Sequence, residues 1–270
     1  MTDLGNTGAG DLEPASPAPL PSAERALGTG PARETRLRLI EAATRAFADQ
    51  GVRKASLLDI TRQAGQRNRG AVHYHFGSRA GLLVAVLDQH VDFLGVREGQ
   101  LLEVAHERPA DDLASAIEAI VRPTTELAAT GWAGRCFLVI VAELIAEEQT
   151  SVLPGVDETL ARSGGVGVFE LIRARMPAMS EEMRDERLAL MTAFILRAVA
   201  DRARALDARA DVPADAEATE ATEATEATEA TEATEATEPR RERRPQLGDD
   251  HFVANLVAMA DAMLRAPLPG

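Results

Sequence analysis

The sequence predicts an all-α protein, with a small N-terminal domain of three short helices followed by a longer helical domain. Three observations lead there. Apolar residues recur at three- and four-residue spacing along nearly every segment, and few runs alternate as a strand would. Aromatic residues, which strands favour, make up only 3% of the 270 residues. The Gly, Ser and Pro residues that stop and start helices fall mostly between the periodic runs.

Residues 1–31 carry prolines at 14, 17, 19, 21 and 31 among Ala, Gly and Ser, and are expected to form a disordered arm. A first helix is predicted from Arg33 to Gln50, with Leu37, Ile40, Ala43, Ala46 and Phe47 on one face and Gly51 as its stop. Ser56 caps a second helix over Leu57–Ala64, which Gly65 ends, and a third is predicted over Asn68–Phe76. Ser78 caps a fourth, which begins near Arg79 and runs on through Leu82, Leu83, Val86, Leu87, His90, Phe93 and Leu94.

Beyond it, Asp111 or Asp112 caps a helix that Pro123 is expected to kink or end. Gly134–Glu148, Val166–Met176 and a long helix from Ser180 to about Ala210 follow. Residues 218–238 are seven copies of Ala-Thr-Glu, too short a unit to bury a core, and are expected to be a solvated loop. The RRERR that follows at 240–244 reads either as compensation for the acidic run or as an accessory nucleic-acid contact. Ordered chain is expected to resume at Asp249, on a last helix carrying Phe252, Val253, Leu256, Val257, Ala260, Met263 and Leu264.

Charge is segregated along the chain. The net charge is −14, yet residues 33–90 hold ten Arg and Lys against five Asp and Glu, whereas residues 211–250 hold thirteen acids against four Arg. A compact basic module in an acidic protein points to nucleic acid. Its second and third helices have the form of a helix-turn-helix, in which the helices meet at small residues, here Ala64 and Gly65. The later helix of such a pair enters the major groove with its first residues toward base edges. Arg67, Asn68 and Arg69 stand there; Arg suits a guanine edge and Asn an adenine edge, and which of the three reads bases stays open. Ser56, His73, Tyr74, His75 and Arg79 complete the set expected to face DNA, largely at phosphates.

Phe47, Gly51, Ile60, Ala64, Gly65, Tyr74, His75, Phe76, Ser78, Arg79, Leu82 and Leu83 follow one another in an order that resembles the DNA-binding domain of the TetR family of transcriptional regulators. AGQRNRGAVHYHFGSR is similar to a branch with one extra residue between turn and recognition helix, and FVANLVAMADAMLRAP to that branch's last helix. His73 replaces the family's usual Tyr, and Thr61 its usual Ala. The resemblance implies phosphate contacts at Ser56 and Arg79. It also implies a homodimer joined through the last two long helices, and a repressor that releases a palindromic operator when a small molecule binds among its helices. The stripes on those two helices (Leu188, Met191, Ile195, Leu196 and Val199 on the first) fit either that interface or intramolecular core. The implied domains are an arm at 1–31, a DNA-binding domain at 32–78 and a regulatory and dimerisation domain at 79–270, interrupted at about 211–248.

Trp132, Arg135, Phe137 and Val141, at the entrance of an apolar helix, read either as core or as the lining of a ligand pocket. No enzyme is expected, since no nucleophile–base pair, phosphate-cradling loop or metal-ligand spacing stands out, and His90, His106 and Glu143 are too scattered for a metal. No cofactor is expected. One cysteine, Cys136, rules out an internal disulfide, and a reducing cytoplasm is the simplest location. No apolar run approaches the ~20 residues of a membrane span, and the N-terminus lacks the pattern of a signal peptide. The competing reading is a helical small-molecule-binding or adaptor protein whose DNA module no longer works.

Overall fold

The computed structural model describes residues 30–146, 153–210 and 247–268, and these are helical with no strand among them. The arm up to residue 29, the Ala-Thr-Glu run and RRERR lie outside the described residues.

Helix α1 (Pro31–Gln50) starts on a proline, whose missing N–H costs nothing in a first turn, and buries Leu39, Ile40, Ala43, Ala46 and Phe47. Gly51, at φ 84°, ends it with its N–H on the Phe47 carbonyl. Helix α2 (Leu57–Gln63) is capped by Ser56, whose Oγ accepts the Asp59 N–H at 3.2 Å. Gly65, at φ 71°, closes α2 in a Schellman turn: its N–H reaches the Arg62 carbonyl and the Gln66 N–H reaches that of Thr61, both at 3.0 Å.

Helix α3 (Ala71–Phe76) begins three residues later than the sequence predicts. The Asn68 Oδ1 accepts the Gly70 N–H at 2.9 Å, and this local turn competes with helix there. Arg67, Asn68 and Arg69 therefore belong to the turn that leads into α3. Helix α4 (Arg79–Leu87), capped by Ser78, is also shorter than expected; after a turn at 88–90 the chain re-enters helix as α5 (Val91–His106). Leu87, Val91 and Leu94 keep helical spacing across the break, so periodicity alone does not reveal it. Packing explains it: α4 lies against α1 and α3, and α5 against other helices of the body.

Helix α6 (Leu113–Ala129), capped by Asp112, continues past Pro123. The proline does not end it, although an interior proline costs roughly 3 kcal/mol. α6 lies at the centre of the body, and ending it there would unseat Thr124, Thr125, Leu127 and Ala128, all now buried. Around it pack α5, α7 (Trp132–Ala146), α9 (Gly165–Arg175) and α11 (Asp249–Arg265). The short α8 (Val156–Ala161) lies against α4, and the long α10 (Glu181–Ala210) against α7 and α11.

The stripes of α10 and α11 resolve as intramolecular core: Met191, Ile195, Val199, Val253, Leu256, Val257, Ala260 and Leu264 are buried within the one chain. Arg202, near the end of α10, reaches Asp249 at 2.5 Å and the Leu247 carbonyl at 3.0 Å, and its guanidinium covers the Phe252 ring. The two sides of the undescribed segment 211–246 are thereby held together.

Candidate nucleic-acid interface and an internal cavity

The first three helices present one basic, solvent-facing surface. Arg67, Asn68 and Arg69 are exposed on the turn before α3, and His73 and Tyr74 are exposed on α3 itself, Tyr74 at 82%. Ala71 and Val72 are buried, which fixes the rotation of this short helix and turns 73 and 74 outward. The Asn68 Oδ1 accepts one bond from Gly70, which leaves its second lone pair and its amide N–H groups free. His73 Nδ1 lies 3.1 Å from the Gly77 carbonyl, and the half-buried His75 meets Tyr74 edge-on. From α1, Arg36 stacks on Phe76 and donates to the His75 carbonyl at 2.8 Å, placing positive charge at the C-terminal end of α3.

Two further cations escaped the sequence reading. Arg53 and Lys54 are exposed in the turn before α2, close to the Ser56 cap. Their signal was legible, a basic pair ahead of a helix cap, which is where an anion would approach.

Arg79, expected at a phosphate, has one end of its guanidinium engaged within the chain. Its Nη1 donates to the carbonyls of Val52 and Ala55, both at 2.7 Å, and partial burial lowers its pKa. On the other side of the same turn, the Val52 N–H donates to Glu143 Oε1 of α7 at 3.1 Å. Gly51 makes room for this contact, since a Cβ there would overlap the Glu143 carboxylate. The turn between α1 and α2 is thus held by α4 through Arg79 and by α7 through Glu143.

This geometry makes Arg79 a positioning residue. Arg79→Ala is expected to destabilise the fold by roughly 1.5–3 kcal/mol, the range for hydrogen bonds from a charged group. It should also weaken DNA binding while leaving the slope of affinity against salt unchanged. A slope lowered by about one for each bound chain in anisotropy titrations would instead mean that Arg79 contacts a phosphate.

The body holds a cavity of about 520 Å³, partly open to solvent, among α5, α6, α7, α9 and α10. Phe137 and Val141 line it as one reading of the sequence anticipated, beside Leu94, Ile120, Phe169 and Met191. Trp132 and Arg135 do not. The Arg45 guanidinium lies 3.8 Å over the Trp132 ring, and Arg135 pairs with Asp207 at 2.5 Å, so these two fasten α7 to α1 and to α10. They sit a turn before the wall-forming residues, where α7 meets its neighbours instead of the void. Neighbouring Cys136 is buried, and burial foremost pushes its thiol up to about 11, so at neutral pH it is no thiolate nucleophile.

The sequence reading also missed Glu98, an acid on the cavity wall that is only 4% exposed. The signal was its position on the buried stripe of α5, Val91, Leu94, Glu98 and Ala105. The glycines of RSGGVGV now have a role as well. A Cβ on Gly95 would overlap the Arg162 carbonyl oxygen, and Gly164 and Gly165 come against Gly95 and Glu98, so α5 and the start of α9 meet nearly backbone to backbone.

Residues 39–86, from the middle of α1 into α4, match the family described as bacterial regulatory proteins, tetR family. These residues carry a helix-turn-helix segment of the TetR type. The chain is 38% identical to the HTH-type transcriptional regulator TtgR of Pseudomonas putida, over 30% of this chain and 45% of that protein. It is 50% identical to the HTH-type transcriptional regulator SrpR of Pseudomonas putida, over 21% of this chain and 26% of that protein. The chain thus spans less than half the length of these curated relatives. The crystal structure of the TetR-family regulator PfmR from Thermus thermophilus aligns with 86% of this chain and 97% of its own, at 18% identity and a TM-score of 0.44. The relatives are named as helix-turn-helix regulators of transcription, and the likeness to them lies in the segment that matches the family's DNA-binding domain. Among the described residues no helix is long and apolar enough to cross a membrane.

Proposed function

We propose that this protein regulates transcription as a TetR-family homodimer, repressing from a palindromic operator until a small molecule enters the cavity. The observation that carries the reading is the exposed Arg67–Asn68–Arg69 turn, set ahead of α3 in the family's DNA-binding domain. The bond from Gly70 to the Asn68 Oδ1 ties that side chain to its own turn, and base reading falls first to Arg67 and Arg69, which are exposed. Arg53, Lys54, Ser56, His73, Tyr74 and His75 supply the backbone contacts that fix register.

A partner copy needs an apolar face that the chain leaves open. The buried stripes of α10 and α11 are already used, but Ala189, Leu190 and Ala193 on α10, and Ala254, Ala258, Met259 and Ala262 on α11, remain exposed. Two-fold pairing through this small-residue surface would set the two recognition helices on successive half-sites. The cavity connects to the DNA-binding domain through α7, which holds Phe137 and Val141 at the wall and Glu143 at the Val52 N–H. A ligand that favours one placement of α7 thereby favours one placement of the α1–α2 turn, and release requires different affinity for the two states.

The test is fluorescence anisotropy with duplexes from the protein's own upstream DNA, against scrambled duplexes of the same length. Arg69→Ala is expected to cost roughly 1–3 kcal/mol of discrimination between them, the worth of one good bidentate base contact. Equal affinity of the unaltered protein for operator and scrambled DNA would overturn the reading.

A further inference from the structure

We propose that the cavity receives an apolar molecule bearing one protonated amine, and that Glu98 is the residue that pairs with the amine. The proposal rests on the reading of the cavity as the effector site and adds the chemical class of the effector. The wall is almost wholly aliphatic and aromatic; of its hydroxyls, Thr124 donates to the Val121 carbonyl and Thr192 to that of Leu188, while Ser163 stands in the turn before α9. Arg173, at the edge, is held by Glu181 and Asp185, and Glu170 beside it is exposed to water. Glu98 alone among these groups is buried with an orphan atom, since its Oε2 is enclosed and meets no hydrogen-bond donor among the described residues. Such an acid costs free energy until something brings it a donor.

A ligand nitrogen is a donor that the Glu98 Oε2 lacks. A carboxylate or phosphate ligand would gain no ion pair from the neutral acid, and beside an ionised Glu98 its like charge would be repelled strongly in a medium of low dielectric. The net charge of −14 raises the local concentration of cations and lowers that of anions.

Among the described residues no neighbouring charge offsets Glu98. α6 faces it with Ile120 and Thr124, α7 with Phe137 and Leu138, and α10 with Met191 and Ile195, none of them titratable. The charged side chains of α6 look elsewhere: Glu126 holds Arg97 of α5, and Glu118 holds Arg122. α9 offers only Glu170 and the already paired Arg173, and His90, at the start of α5, rests on Phe137. Desolvation accordingly pushes the Glu98 carboxyl up to about 8, so the empty cavity holds a neutral acid at neutral pH. On binding, Glu98 gives its proton to water and the ammonium takes its place, a one-for-one exchange of positive charge.

Isothermal titration calorimetry on the full chain, with three probes that share one apolar body, tests this: 4-phenylbutylamine, 4-phenylbutanol and 4-phenylbutyrate. At pH 7 the amine is expected to bind at least about tenfold tighter than the other two. Its affinity should rise about fivefold from pH 7 to pH 8 and about tenfold in all by pH 9, levelling off above, with close to one proton released at pH 7, read from buffers of different ionisation heat. Glu98→Gln, an isosteric change, should erase the preference for the amine and its pH dependence, while alcohol binding stays within about twofold.

Equal affinity for all three probes, or amine binding that ignores Glu98→Gln, would overturn the amine proposal and leave the cavity as the effector site. Amine binding that depends on Glu98 but leaves operator affinity unchanged would overturn the effector reading and keep Glu98 as an amine site. Absence of binding by all three would overturn both.

Discussion

Folding stability is expected to rise as pH falls from about 8 toward 4.5, and Glu98→Gln is expected to remove that rise. In the unfolded chain the Glu98 carboxyl titrates near 4.5, and in the fold near 8. Below 4.5 both states hold the proton and the folded state keeps its full advantage. Between the two values the unfolded chain has lost the proton while the folded chain still binds it. Each step up in pH then favours unfolding, by roughly tenfold in the equilibrium constant per pH unit. Above 8 the loss is complete, and across the window it amounts to several kcal/mol.

His90 works in the opposite direction. Burial lowers its pKa below the usual 6.5, so acidification through that region favours the unfolded chain, which accepts the proton more readily. The decisive quantity is therefore the difference between the unaltered protein and Glu98→Gln, which retains His90. Urea denaturation at pH 5, 6, 7 and 8 measures it. Parallel curves for the two proteins would show that Glu98 is not desolvated in solution as it is in the structure.

Operator affinity is expected to fall by about 10³–10⁵-fold between 50 and 200 mM salt, the range for proteins that neutralise some six to ten phosphates. The basic surface offers Arg53, Lys54, Arg67 and Arg69 as exposed cations, eight in the proposed dimer, while Arg62 is partly compensated by Asp59 at 2.8 Å. The chain as a whole is strongly acidic, so binding must come from this local surface, and the body adds only repulsion. Arg53→Ala with Lys54→Ala removes four cations from the proposed dimer and should reduce the salt slope by about four without changing which sequence is preferred, because phosphate contacts carry no sequence information. A wild-type affinity that hardly responds to salt would rule out this surface as the site of DNA contact.

Much of the DNA-binding domain was legible because its signals are local. Gly51 and Gly65 stop α1 and α2, Ser56 and Ser78 start α2 and α4, and each acts through atoms within a few residues. The start of α3 was misplaced for a reason of the same kind, an Asn68 side chain that bonds the backbone two residues on. The split between α4 and α5 was not legible, because the apolar spacing continues across it and only the different partners of the two helices require a turn.

The sequence by itself therefore determined the helical class, the order of the helices and the concentration of positive charge near the N-terminus. The tertiary structure decided what each face and each charge is used for. It gave Arg79 two backbone carbonyls, set Trp132 and Arg135 at helix junctions, buried the stripes of α10 and α11 inside one chain, and left Glu98 without a donor among the described residues. The physical reason is one of range. Caps and periodicity depend on neighbours along the chain. The partner of a guanidinium, or the lack of one for a carboxylate, depends on atoms that come within about 3 Å only after distant helices have packed.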